Sequence, residues 1–212
     1  MPYEDHIAEA KDAVTCAVLT ISDTRTEAED KSGKIIQELL KDSGHSVGHY
    51  QVVKDEADQI KQLIVDIATK GDCHVILTNG GTGIAARDTT YEAVTSLLEK
   101  RLDGFGEVFR FLSWDDIGSG AMLSRAVAGT YKDTLIFCMP GSSGAVRLAM
   151  EKLIVPELSH LVWEYQVHRL GHRRYVKTFY CPSCNVAHLT SPFFFLPSFP
   201  LFQKARSGLE AC

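Results

Sequence analysis

The sequence predicts an α/β protein: a mostly parallel sheet with helices on both faces, followed by a C-terminal extension. Three observations predict it. Over the first 90 residues, apolar strand-like runs alternate with amphipathic helical runs, the pattern of βαβ units. Two apolar strands, ending near Thr78 and Met139, each run directly into a glycine-rich turn and a helix. Composition then changes at about Val167, which separates a body of residues 1–166 from an extension of residues 167–212.

The chain has 212 residues, 45% of them hydrophobic and 23% charged, enough for one substantial core. It contains no apolar run of about 18 residues, so no membrane span is expected. Residues 1–11 carry Glu4, Asp5 and Glu9 and lack the apolar stretch of a secretory signal. Cys16, Cys73 and Cys138 sit in strand-like runs, as small buried hydrophobes do, which suits a reducing, cytoplasmic setting. The net formal charge is −5, whereas the extension carries six basic residues against Glu210, so the body stands at −10. A body so acidic argues against a nucleic-acid partner, which needs a basic face. It still allows a phosphorylated ligand met by backbone N–H groups and a metal.

Taken in order, Val14–Ile21 reads as the first strand, ending in Ser22-Asp23-Thr24. Ligands of open α/β sheets lie beyond the carboxyl ends of the strands, so polar residues there are site candidates, or plain turn formers. A helix follows over 32–42, with Ile35, Ile36, Leu39 and Leu40 on one face and Gly44 as its stop. The second strand ends at Val53, before Lys54-Asp55-Glu56. Asp58 is the expected cap of the next helix, where Ile60, Leu63, Ile64, Ile67 and Ala68 recur at helical spacing up to Gly71. Residues 73–78 form the third strand, which enters Thr78-Asn79-Gly80-Gly81-Thr82-Gly83 and then Arg87-Asp88. Glycines let backbone approach a ligand and present N–H groups to anionic oxygens. For this hexapeptide alone, a tight turn without a ligand is an equal reading.

A short helix is expected over 91–98, a break at Gly104-Phe105-Gly106, a helix from Glu107 to Leu112, and a helical run over 119–127. Within that last run Arg125 is either a pocket guanidinium or a surface arginine. The strand 134–139 meets Pro140-Gly141-Ser142-Ser143-Gly144, and a final helix over 145–165 should kink at Pro156. Asp23, Asp55 and Asp88 would then share the carboxyl rim. Carboxylates gathered together need a cation, and Mg²⁺ held with substrate phosphates is the simplest relief. Such a site suits phosphoryl or nucleotidyl transfer. Each aspartate alone fits a turn or cap.

In the extension, Cys181-Pro182-Ser183-Cys184 is half of a four-ligand zinc site, and His188 follows four residues later, with His168 and His172 upstream. Zn²⁺ on Cys181, Cys184 and His188 is one expectation, and an extension with incidental cysteines is the other. No βαβ context surrounds the pair, which disfavours a redox motif.

Ser22-Asp23-Thr24, Asp55, the run Thr78–Gly83 with Arg87-Asp88, Ser119-Gly120-Ala121 through Ser124-Arg125, and Pro140-Gly141-Ser142 together resemble the MogA/MoaB family of molybdenum cofactor biosynthesis proteins, which includes the G domain of gephyrin. The resemblance covers about residues 12–166, with the motifs in the family's order. It implies a three-layer α/β/α molybdopterin-binding domain that assembles as a homotrimer or homohexamer. It implies transfer of AMP from Mg-ATP to the molybdopterin phosphate, or, in the alternative, molybdopterin binding without catalysis. Asp55 and Asp88 match the family's two catalytic aspartates, with Asp88 holding Mg²⁺ or orienting phosphates. Gly80, Gly81, Thr82 and Gly83 would bind phosphates of ATP or pterin, and Ser22, Asp23, Ser119, Arg125, Gly141 and Ser142 would line the molybdopterin pocket. Thr78, Asn79 and Pro140 complete the substrate-binding set. The extension has no counterpart in the family.

Overall fold

The computed structural model describes residues 13–170, 177–181 and 186–190. The chain divides into two compact units, Met1–Gln166 and Val167–Cys212. In the first, β1 (Thr15–Ile21), α1 (Lys31–Asp42), β2 (Ser46–Val53), α2 (Ala57–Lys70), β3 (Val75–Asn79) and α3 (Thr90–Leu97) alternate as expected. Then come β4 (Lys100–Arg101), α4 (Asp103–Ile117), a 3-10 segment (Gly118–Leu123), β5 (Val127–Tyr131), β6 (Thr134–Met139), α5 (Ser143–Ala149), a π-helical turn (Met150–Ile154) and α6 (Val155–Leu170).

The sheet order is β2-β1-β3-β6-β5-β4. The first four strands are parallel, and β5 and β4 are added antiparallel. Side chains alternate between the two faces, as strand geometry requires. Cys16, Val18, Val75, Leu77, Phe137 and Met139 face a core closed by α1, α4, α5 and α6. Ala17, Leu19, Ile76, Ile136 and Cys138 face a second core closed by α2 and α3. The result is a three-layer α/β/α sandwich in which the central strands are buried on both sides, which is why they read as unbroken apolar runs. Cys16, Cys73 and Cys138 are buried free thiols whose pKa values burial pushes up. Among the described residues no helix is long and apolar enough to cross a membrane.

Four local expectations need correction. The residue capping α2 is Glu56, which makes no side-chain cap bond; Asp58 lies inside the first turn, where its charge suits the helix dipole. No break occurs at residues 104–106. The helix α4 runs through both glycines, because Phe105 and Phe109 are buried, Phe105 sits edge-on to Phe137 at 5.2 Å, and a Cβ at Gly106 would stand 2.6 Å from the Ala126 carbonyl oxygen. Glycine there lets helix and chain press together. The run 119–127 is helical only as far as Leu123. Val127 opens β5, which pairs with β6 through a turn where Lys132 adopts φ +51°. The last helix is not a single kinked rod: a π turn precedes Pro156, with the Val155 N–H donating to the Met150 carbonyl.

In the second unit, β7 (Lys177–Cys181) and β8 (Val186–Thr190) pair antiparallel, with Cys181 opposite Val186 and Phe179 opposite His188. Cys184 lies outside the described residues, and with it part of the expected zinc ligand set.

Candidate functional site

The carboxyl ends of β1, β2, β3 and β6 deliver Ser22-Asp23, Asp55, Gly80–Gly83 and Pro140–Ser142 to one rim of the sheet. The two glycine turns touch: a Cβ at Gly141 would stand 2.9 Å from the Gly80 Cα. Gly80 has φ +100° and lies against the Ile21 carbonyl, and Gly81 has φ +62° and lies against the Asp55 carboxylate and the Thr90 hydroxyl. The Gly80 N–H donates to the Met139 carbonyl at 3.1 Å, so it is spent on the β3–β6 junction and not offered to a phosphate. Close packing of three strand ends explains these two glycines by itself.

Asp55, 5% exposed, behaves as part of the same packing. Its Oδ1 accepts from the Thr89 N–H (3.1 Å), the Thr89 hydroxyl (2.8 Å) and the Thr90 hydroxyl (3.1 Å), so it anchors the start of α3. Asp23 has a different partner. Its carboxylate takes both arms of Arg87 at 2.8 Å and accepts from the Asp55 N–H at 3.2 Å, while Arg87 also reaches Glu56 at 2.9 Å. The hydrogen bond from Arg87 holds the Asp23 carboxyl below its usual pKa. Relief of the three carboxylates therefore comes largely from Arg87 and from hydroxyl and amide donors. Among the described residues no three His, Cys, Asp or Glu side chains gather to hold a metal.

Thr78 and Asn79, expected among the substrate-binding residues, are fully buried. Thr78 donates to the Phe137 carbonyl, and the Asn79 amide donates to the Leu19 carbonyl and, at 2.9 Å, to the Thr20 hydroxyl. Asn79 Oδ1 has no partner among the described residues. Beyond Thr20 lies Asp30, also fully buried, which caps α1 and accepts from the Ser32 hydroxyl, the Gly33 N–H and the Tyr50 hydroxyl. This network ties the end of β3 to β1 and to the start of α1. It was not expected, because Asp30 and Tyr50 belong to none of the motifs and meet only through the fold.

Asp88 is placed differently. Its Oδ2 accepts from the Ala85 N–H at 3.2 Å, and its Oδ1 accepts no hydrogen bond among the described residues. It lines an open cavity of about 590 Å³ between α2 and α3, together with Lys61, Thr89, Glu92, Ser96 and Arg125 over a floor of small residues. Arg125 is the pocket guanidinium of the two readings: it donates to the Gly83 carbonyl at 2.9 Å, pairs with Glu92, and stacks 4.1 Å over the Tyr91 ring. Burial acts to raise the Glu92 pKa, but the bond from Arg125, a backbone N–H and the Arg125 charge together outweigh it, so the carboxyl stays below its usual range. Lys61 and Glu92 had no motif to announce them; each is one polar position on an otherwise ordinary amphipathic helix.

The remaining expected residues sit on the other side of the rim. Ser22 Oγ accepts from the Arg25 N–H, Arg25 donates to the Ser32 hydroxyl and the Gly141 carbonyl, and Ser142 caps α5 through the Ala145 N–H. Thr82 is buried, Pro140 half-buried, and Ser119 exposed on the 3-10 segment.

The chain matches the family described as "Probable molybdopterin binding domain" over residues 17–160. It is 54% identical over 165 residues to molybdenum cofactor biosynthesis protein B of Bacillus cereus, covering 77% of this chain and 98% of that protein. A crystal structure of a molybdenum cofactor biosynthesis protein B superposes with a TM-score of 0.72 at 56% identity, over 73% of this chain and 97% of the other. The tungsten cofactor synthesizing protein MoaB from Pyrococcus furiosus superposes with a TM-score of 0.66 at 33% identity, over 73% and 98% of the two chains.

Proposed function

The chain belongs to the molybdopterin-binding domain family, and on that premise we propose that it binds molybdopterin in molybdenum cofactor biosynthesis and transfers AMP from Mg-ATP to the molybdopterin phosphate. The observation that carries the transfer is the open carboxylate of Asp88, set in a cavity beside the positioned guanidinium of Arg125. In this reading a phosphate oxygen of molybdopterin attacks the α-phosphorus of ATP; the new P–O bond forms as the bond to the β-phosphate oxygen breaks, and pyrophosphate leaves. The nucleophile belongs to the substrate, so no side-chain nucleophile is needed.

Mg²⁺ fits the residues present, since it takes one or two carboxylates and completes its shell with phosphates and water. Asp88 would hold it, and the ion would neutralise charge on the phosphate oxygens. Arg125 is already fixed by Gly83, Glu92 and Tyr91, so it can meet developing negative charge without reorganising. The expected zinc site in the extension remains a separate proposal on Cys181, Cys184 and His188, tested by metal content of the protein and of Cys181→Ser.

The second reading, binding without catalysis, is favoured by a specific observation. Asp55, which matched a catalytic position, and the Gly80 N–H, which was expected to meet a phosphate, are consumed by the scaffold. The assay that decides is incubation with molybdopterin and Mg-ATP. Adenylylated molybdopterin from the wild type and none from Asp88→Ala supports transfer. Unchanged turnover in Asp88→Ala removes the role given to that residue, and no product from the wild type leaves binding alone.

A cytoplasmic setting and self-association belong to the same proposal. Phe111, Trp114, Ile117, Met122 and Leu123 are exposed together along α4 and the 3-10 segment, an apolar face that favours association. A homotrimer or homohexamer is the expected size, readable by sedimentation.

A further inference from the structure

We propose that Lys61 is an anion-binding residue, and that the groove between α2 and α3 receives the pyrophosphate end of the nucleotide. The identity of the ligand rests on the adenylyl-transfer reading; the anion site itself does not.

The groove has a built shape. Ala57 and Lys61 lie one turn apart on α2, and Thr89, Glu92, Ala93 and Ser96 lie along one face of α3 and its cap. Buried Ala93 and half-buried Ala57 keep the floor between the two helices low enough for a ligand to enter, while Ile84, Ala85 and Ala86 line the exposed loop side. The polar groups above that floor differ in what they already hold. The Thr89 hydroxyl is given to Asp55. Arg125 is held by the Gly83 carbonyl, Glu92 and the Tyr91 ring. Lys61, half-buried, makes no hydrogen bond or ion pair among the described residues. Its ammonium is the groove's uncommitted cation.

Charge selects the ligand. Lys61 and Arg125 are balanced by Asp88 and Glu92, so the groove as a whole is neutral and a bare polyanion gains little from it. A magnesium-bound diphosphate suits the set better, because the metal can take Asp88 while the phosphate oxygens take Lys61. Position points the same way. The Lys61 groove lies on the α2–α3 face of the sheet, whereas Ser22, Arg25, Gly141 and Ser142 gather with α1 and α5, which cover the opposite face. Transfer at phosphorus places nucleophile and leaving group in line on opposite sides. If molybdopterin approaches past Ser142, the leaving pyrophosphate departs toward Lys61.

The test is calorimetric titration of the full chain with inorganic pyrophosphate in the presence of magnesium, for the wild type, Lys61→Gln and Lys61→Arg. Wild type should bind, Lys61→Gln should weaken binding by about tenfold or more, and Lys61→Arg should keep most of it, as expected for loss or retention of one charge-assisted hydrogen bond. In the adenylylation assay, Lys61→Gln should raise the KM for ATP more than it lowers kcat. Equal pyrophosphate binding by Lys61→Gln and wild type, or no binding by the wild type, overturns the proposal. If the wild type forms no adenylylated molybdopterin yet loses pyrophosphate binding on Lys61→Gln, the transfer reading falls and the anion site stands. If transfer proceeds and Lys61→Gln leaves binding and KM unchanged, Lys61 has no such role and the reaction stands.

Discussion

The inner wall of the carboxyl rim and its outer wall both carry aspartates and differ in how fully their polar groups are satisfied. On the inner wall, Asp55 accepts three hydrogen bonds, Gly80 and Gly81 fit against backbone and carboxylate, and Asp30 accepts from three side chains and a backbone N–H. On the outer wall, among the described residues, one Asp88 oxygen and the Lys61 ammonium have no hydrogen-bond partner, beside an open cavity. A saturated polar group holds the fold; an unsatisfied one next to solvent is what a ligand can use. The two walls should therefore respond to substitution in opposite ways: stability falls on the inner wall, and ligand response falls on the outer one.

The largest stability loss is expected at Gly81. Its backbone is left-handed, which costs an alanine about 1–2 kcal/mol, and the added Cβ collides with Asp55 and Thr90, an overpacking worth about 1–3 kcal/mol. Urea unfolding of Gly81→Ala should show a drop of about 4 kcal/mol. A drop below about 1 kcal/mol would mean that the turn yields easily, and the inner wall would then not be the rigid part of the rim.

Asp55→Ala comes next. It strands the Thr89 N–H and two hydroxyls, and hydrogen bonds to a charged acceptor are worth about 1.5–3 kcal/mol each, less whatever water recovers. The expected loss is about 3 kcal/mol, with faster hydrogen exchange at the start of α3. An unchanged exchange pattern would place the anchor of α3 elsewhere.

These two sites also show what could be read in advance. The alternation of runs gave β1, α1, β2, α2, β3 and α3 and the rim that their loops form, because period and burial leave a direct mark on residue type. It missed β5, since Val127–Tyr131 includes Gly129 and Thr130 and its pairing with β6 is a tertiary fact. At the site, Asp23, Asp55, Asp88 and the glycines were all found on the rim. Their division into scaffold and cavity-facing groups was not visible, because it depends on partners from distant elements: Arg87 for Asp23, Thr89 and Thr90 for Asp55, Met139 for Gly80. Asn79 looked like a ligand residue by its place in the motif and is a buried clamp between β3 and β1.

Asp30 tests the inner wall by pH. Burial acts to raise its pKa, but bonds from the Gly33 N–H and from Thr20, Tyr50 and Ser32 outweigh it, so the folded carboxyl titrates below its unfolded value of about 3.9. A depressed folded pKa gives stability that is present above the unfolded value and lost as pH falls through the folded one. Asp30→Asn should therefore be less stable than wild type at neutral pH, and the gap should narrow as pH drops below about 4. Urea midpoints across that range measure it. A gap that stays constant into acid would show that shape, not charge, is what Asp30 contributes.

The smallest stability effect, and the sharpest contrast, is expected at Asp88. Among the described residues the side chain has one local hydrogen bond, accepted from the Ala85 N–H within its own loop, and it lines the cavity. Asp88 is half-buried but joins no buried network, so Asp88→Ala should change unfolding free energy by no more than about 0.5 kcal/mol. Mg-ATP, if it binds only the folded chain, raises the melting temperature of the wild type in proportion to its affinity. In Asp88→Ala that rise should vanish while the ligand-free melting temperature stays in place. Asp55→Ala should show the reverse: a lowered ligand-free temperature with part of the Mg-ATP response retained, because Asp88, Lys61 and Arg125 would still line the groove. If both variants lose stability alike, or both lose only the ligand response, the two walls are one, and satisfaction of hydrogen bonds is not what separates scaffold from site.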